Sequence, residues 1–151
     1  MISGNAEITL RKATEEDLDN IKIMADAHRR ELGFVRRPAL LEAIHRKEII
    51  VAQNSRHLAG FVHYRHRRDE QTTLYDIVVA AEYRLIGIGK ALVQTLVAEI
   101  QALGKQTLIL KCPAELPANT FYTHLGFERW KEEPGKHRPL IVWRLSIPSQ
   151  Q

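Results

Sequence analysis

Arg84, Gly87, Gly89 and Lys90 stand together in EYRLIGIGKALVQTL, residues 82–96, where a run of β-branched residues gives way to helical spacing. That combination suits anion chemistry. The N-terminus of a helix carries N–H groups without intrahelical partners and the positive end of aligned peptide dipoles. Glycines let a bulky anion reach those groups, and two cationic side chains add attraction to a pyrophosphate. A tight turn between strand and helix is the competing reading of the same glycines. The stretch is not a Walker loop, because Ala91 follows Gly89-Lys90 and the G-x-x-x-x-G spacing is missing. Nor is it a dinucleotide fingerprint, which requires a third glycine beyond Gly87-Ile88-Gly89.

Elements on both sides must position these residues. AEITLRKA (6–13) alternates as a strand, and Thr14 followed by Glu15, Glu16 and Asp17 supplies an N-cap with acids in the first turn. The helix beginning there has Leu18, Ile21, Met24, Ala25, His28 and Leu32 at helical spacing, with Gly33 as its stop. RRPALLEAIHRKE (36–48) is expected as a second helix, Pro38 lying near its first turn. EIIVAQ (48–53), LAGFVHYRHR (58–67) and TTLYDIVVA (72–80) are expected as an antiparallel meander. KALVQTLVAEIQALG (90–104) and QTLILKC (106–112) then continue as helix and buried strand, a βαβ unit. ANTFYTHLGF (118–127) reads as a short helix ending at Gly126, and FERWKE (127–132) and PLIVWRLSI (139–147) as closing strands around the turn EPGK. The expected class is α/β with a central mixed sheet flanked by helices, in the order β-α-α-β-β-β-α-β-α-β-β.

A length of 151 residues suits a single domain over 1–151, with a core at about 7–147. The composition, 44% apolar and 26% charged, is that of a globular protein, and no apolar run approaches the roughly 20 residues of a membrane span. The N-terminal stretch lacks the pattern of a secretory signal and Cys112 has no internal disulfide partner, so a reducing cytoplasm is expected. The net charge of +4 suits an anionic ligand, but basic residues are interspersed with acids, which gives little support to nucleic acid as a partner.

Arg84-Leu85-Ile86-Gly87-Ile88-Gly89 resembles the R/Q-x-x-G-x-G/A acyl-CoA signature of the GNAT N-acetyltransferases, and NTFYTHLGF (119–127) is similar to that superfamily's N-x-x-F/Y-Y-x-x-x-GF motif. The two occur in the right order with the right elements between them. The resemblance implies that the backbone of Ile77, Val78 and Val79 pairs with the pantetheine arm of acetyl-CoA, as an added strand would. It implies that the N–H groups of Arg84, Leu85, Ile86, Gly87, Ile88 and Gly89, with Lys90 beside them, hold the pyrophosphate. Leu85 departs from the glycine frequent there. Asn119 matches an asparagine that contacts the co-substrate, and Tyr122 the tyrosine near the thioester sulfur.

The implied reaction is attack by a primary amine of a small molecule or peptide on the acetyl carbonyl, in a ternary complex. The attacking amine must lose a proton, the oxyanion must be stabilised, and the departing thiolate must be protonated. Tyr122 is the expected general acid; an aromatic clamp is the alternative role for its ring. The amide of Val79 is a candidate oxyanion donor. The base stays open: Asp76 points away from the face of Thr73 and Tyr75, Lys111 stands where relatives acting on protein N-termini often have glutamate, and Glu115 or a water relay remain. In this fold the loop ELGFVRRP (31–38) and the middle strands border the acceptor cleft, making Phe34, Arg36, Arg37 and Tyr75 candidate substrate contacts. No metal is expected, since His63 and His66 lack a third suitably spaced ligand. Cys112 reads as a small buried residue, and Trp130 and Trp143 as core or dimer contacts in a fold that often pairs through its C-terminal strands. A non-catalytic acyl-CoA-binding regulator is the alternative function.

Overall fold

The computed structural model describes residues 7–149; Ala6, at the head of the first expected strand, lies outside them. Seven strands form one mixed sheet in the order β1-β2-β3-β4-β5-β7-β6: β1 Ile8–Lys12, β2 Ile49–Asn54, β3 His57–His66, β4 Gln71–Val79, β5 Thr107–Pro113, β6 Glu128–Glu133 and β7 Leu140–Ser146. The helices are α1 Leu18–Ala27, α2 Arg29–Leu32, α3 Arg37–His45, α4 Ile88–Ala102 and α5 Ala118–His124. The crossover through α4 makes β4 and β5 parallel, as a strand-helix-strand connection requires. The chain divides into two compact units, one comprising residues up to Tyr64 with Asp76–Leu96, the other Arg65–Tyr75 with residues from Val97 onward.

In the first unit, Leu18, Ile21 and Ala25 of α1 and Leu40, Ala43 and Ile44 of α3 pack with Ile49, Val51, Phe61 and Val78 of the strands. Each of the leucine, isoleucine, valine and phenylalanine side chains contributes roughly 1.5–3 kcal/mol when fully buried. The chain enters α1 through a single tight turn at Glu15–Asp17, where the carboxylate of Asp17 accepts from the Thr14 N–H at 2.7 Å. One expectation requires correction here: the first helix is not continuous to Leu32. The ring Nδ1 of His28 donates to the Met24 carbonyl (2.9 Å), the acceptor a continuing helix would reserve for the His28 N–H, and that N–H turns to Ala25 instead (3.1 Å). The second expected helix is also shorter, Arg37–His45, because Lys47 adopts a left-handed φ of 62° ahead of β2.

In the second unit, β4 and β5 pair from Gln71↔Thr107 to Leu74↔Leu110, and β5 pairs antiparallel with β7 over Thr107↔Ser146 to Pro113↔Leu140. The register of β6 on β7 shifts between Arg129, opposite Trp143, and Lys131, opposite Val142, so Trp130 is a bulged extra residue. Gly104, at a φ of 73°, follows α4 as its stop, and the Lys105 N–H closes the turn on the Ile100 carbonyl (3.1 Å).

Candidate active site

In the first unit, β4 runs on beyond Leu74, its last residue paired with β5. A Cβ built on Gly60 of β3 would lie 2.5 Å from the Val78 carbonyl oxygen, and the Ala80 N–H donates to the Ala59 carbonyl (2.8 Å), so Val78 and Ala80 face β3. Strand alternation then turns the N–H and C=O groups of Ile77 and Val79 the other way. Of the three residues expected to meet an extended ligand, two present their backbone in that direction; Val78 is committed to β3. The turn that follows contains two left-handed residues, Leu85 (φ 66°) and Gly87 (φ 87°), immediately before α4 begins at Ile88. Leu85 is fully exposed, and a Cβ on Gly87 would meet no atom within 4 Å. A left-handed conformation explains why glycine is frequent at the position Leu85 fills. Successive N–H groups of such a turn, opening onto a helix N-terminus, suit an anion.

Arg84 is tied inward. Its Nε donates to the Val79 carbonyl (3.1 Å) and its Nη2 to His28 Nε2 (2.9 Å), linking the turn to the break between α1 and α2. The His28 ring can accept there only while Nε2 is bare, and its Nδ1 proton is already given to Met24. No sequence spacing signals this pair, which is 56 residues apart. Among the loop candidates, Phe34 lies between Lys22 and Arg29, whose charged groups sit 4.6 and 4.9 Å from its ring centroid. Arg37 pairs with Asp19 at 2.7 Å, and Arg36 caps α3 with its carbonyl. Asp76 is buried and accepts from His63 Nδ1 at 3.0 Å, a structural pairing in keeping with its inward orientation.

In the second unit, the side chain of Asn119 closes the loop after β5. Its Nδ2 faces the carbonyls of Pro113, Ala114 and Leu116 at 2.9–3.2 Å, and its Oδ1 accepts from Trp143 Nε1 at 2.8 Å. An indole only donates, so the amide orientation follows from its partners. Tyr122 is buried, edge-on to Phe121 and Phe127 with ring centroids at 5.5 and 5.7 Å, and tilted over Trp143 at 6.5 Å. This packing holds the Tyr122 ring by aromatic contacts on several sides, which restricts its rotamer.

A pocket of about 490 Å³ opens on the face of β4, β5, β7 and β6. Its floor includes Ile109 and Val142, and its rim includes Tyr75 and Trp130. Lys111 Nζ lies 3.0 Å from Glu133 Oε1, and Lys131 Nζ lies 3.6 Å from Glu133 Oε2. The Lys111 hydrogen bond, aided by Lys131, holds the Glu133 carboxyl below the usual carboxylate range, which makes it a weak base. Glu115, the other carboxylate considered as a base, is paired with Arg138 at 2.6 Å. The Lys111–Glu133–Lys131 cluster could not be foreseen, because it depends on the β5–β7–β6 register and the bulge at Trp130. Among the described residues, no three His, Cys, Asp or Glu side chains gather as a metal-holding group, and no helix is long and apolar enough to cross a membrane.

Residues 45–129 match the Acetyltransferase (GNAT) domain family, and the chain belongs to it. No curated protein matches it in sequence. Among solved structures, Ard1 from Thermoplasma volcanium is similar at a TM-score of 0.85 and 15% identity, with 95% of this chain and 99% of that one covered. The ribosomal-protein-S18-alanine N-acetyltransferase from Escherichia coli aligns at a TM-score of 0.78 and 21% identity, over 95% of this chain and 96% of that one. YncA, a putative acetyltransferase from Salmonella typhimurium whose structure holds acetyl-CoA, aligns at 0.79 and 17% identity, over 95% and 96%. At these identities the likeness is one of fold.

Proposed function

We propose that residues 1–151 act as one N-acetyltransferase domain that moves the acetyl group of acetyl-CoA to a primary amine of a small molecule or peptide by direct attack. The observation that carries this reading is the turn Arg84–Gly87, with left-handed residues at 85 and 87, leading into the N-terminus of α4. Its backbone would hold the pyrophosphate, and Ile77 and Val79 would meet the pantetheine amides as a neighbouring strand does. Engaging Arg84 with a phosphate requires its guanidinium to leave His28 and the Val79 carbonyl. Acetyl-CoA supplies a thioester carbonyl, and the amine forms the new C–N bond as the C–S bond breaks, with its electron pair going to sulfur. The Tyr122 hydroxyl hands its proton to that sulfur and regains one through water, which takes up the proton that the attacking nitrogen loses. The Val79 N–H would steady the oxyanion.

The reading is tested by thiol release from acetyl-CoA across a panel of amines, amino acids and N-terminal peptides, for wild type and Tyr122→Phe. Amine-dependent release, falling about 10² to 10⁴-fold in the variant with unchanged melting temperature, supports it. Release that persists undiminished in Tyr122→Phe removes the acid role. Tight acetyl-CoA binding without release under any amine favours a regulatory acyl-CoA-binding module.

A further inference from the structure

We infer that the pocket on the β4–β5–β7–β6 face binds a small ligand that joins a carboxylate to an apolar or aromatic body. Three cationic side chains line this pocket, Arg67, Lys111 and Lys131, against one carboxylate, Glu133. Glu133 is already shared by the two lysines at 3.0 and 3.6 Å, so the lining keeps an excess of positive charge. Arg67 lies across Tyr75, its guanidinium 5.7 Å from the ring centroid, and donates to the Tyr75 hydroxyl and to Thr73 Oγ1 (3.2 Å). That placement fixes a planar cation at the rim. On the opposite rim, the bulge turns out Trp130, which is 43% exposed and has Lys131 Nζ at 4.6 Å from its ring.

The chemistry of these groups selects one kind of occupant. Tyr75 and Trp130 offer flat apolar surface, Ile109 and Val142 an apolar floor, and the lysines ammonium groups that a second carboxylate can share with Glu133. An occupant carrying only positive charge would meet like charge on both rims. The inference deepens the acetyl-transfer reading and rests on it in one respect alone, that the bound molecule's amine is the acceptor. A carboxylate-bearing amine such as an aromatic amino acid is then favoured over a polyamine.

The experiment is a fluorescence titration of the full chain, without acetyl-CoA, following the emission of Trp130. The probes are 3-phenylpropionate, L-phenylalanine, L-phenylalaninamide and phenethylamine, used on wild type, Lys111→Gln, Lys131→Gln and Trp130→Phe. The two carboxylates should change the emission saturably and bind at least about 10-fold more tightly than the amide and the amine. Each lysine variant should weaken them about 10-fold with melting temperature unchanged, and Trp130→Phe should abolish the signal. Binding of phenethylamine as tight as that of phenylpropionate, indifference to both lysine variants, or no saturable change with any probe would overturn the inference. So would a concentration-dependent dimer that excludes the carboxylates, since the occupant would then be a second copy. Because acetyl-CoA is absent, carboxylate binding without thiol release in the separate assay counts against the transfer reading and leaves this one standing.

Discussion

Cys112 lies buried on β5, and burial pushes its thiol up to about 11. The thiolate therefore appears only as pH rises toward that value, and at pH 8 it is roughly a thousandth of the population. A disulfide reagent should label the folded protein at least about 100-fold more slowly than the denatured chain; equal rates would show the site to be open. Asp17 is shifted in the other direction. Bidentate hydrogen bonds from Arg11, at 2.8 and 2.9 Å, hold its carboxyl below the usual range, and the Thr14 N–H adds to them. A lowered carboxylate stabilises the fold fully above its unfolded value near 3.9, and that stabilisation fades as pH falls through the lower folded value. With Arg11 partly exposed, Asp17→Asn should cost about 1 kcal/mol at pH 7, the gap narrowing as pH falls below the unfolded carboxylate value near 3.9. Urea unfolding of both proteins over a pH series from 7 downward measures it. Thr14 and Asp17 were legible from their spacing, whereas the arginine that completes the site comes from β1 and obeys no local rule.

Two glycines separate stability from binding at the level of elements. At Gly60 a methyl group would strike the Val78 carbonyl at 2.5 Å and lie 3.3 Å from Val79 Cα, both backbone atoms that yield only if β3 moves from β4. Gly60→Ala should lower stability by about 1–3 kcal/mol in a denaturation experiment. Gly87 has open space around it, so Gly87→Val should cost only the left-handed strain, about 1–2 kcal/mol, yet weaken acetyl-CoA binding at least about 10-fold in a calorimetric titration. Undiminished binding by Gly87→Val would move the phosphate site elsewhere. Strands, and the helices after β4, were legible to within one or two residues because the hydrophobic period and the punctuating glycines are local signals, whereas the first two helices end earlier than expected. The break at His28 was hidden, since Leu32 keeps the helical period across it and the cause is one imidazole taking a backbone carbonyl. The bulge at Trp130 was hidden too, because it is a property of the β6–β7 register.

For the whole molecule, the motifs carried further than the bulk properties. A net charge of +4 hinted at an anion without saying where, whereas the turn at 84–89 and the stretch at 119–127 marked the family that residues 45–129 then matched. What those motifs left unsaid is set by partners distant in sequence: Arg84 on His28, Asn119 on Trp143, and two lysines on Glu133. These determine which side chains are occupied by the fold. The most direct test follows the acetyl group itself, using acetyl-CoA isotopically labelled in that group with a carboxylate-bearing amine and the purified chain. The account predicts that the label appears on the amine nitrogen in step with free thiol, and that Tyr122→Phe slows both together. Label that stays on acetyl-CoA, or emerges only as free acetate whatever amine is supplied, would contradict it.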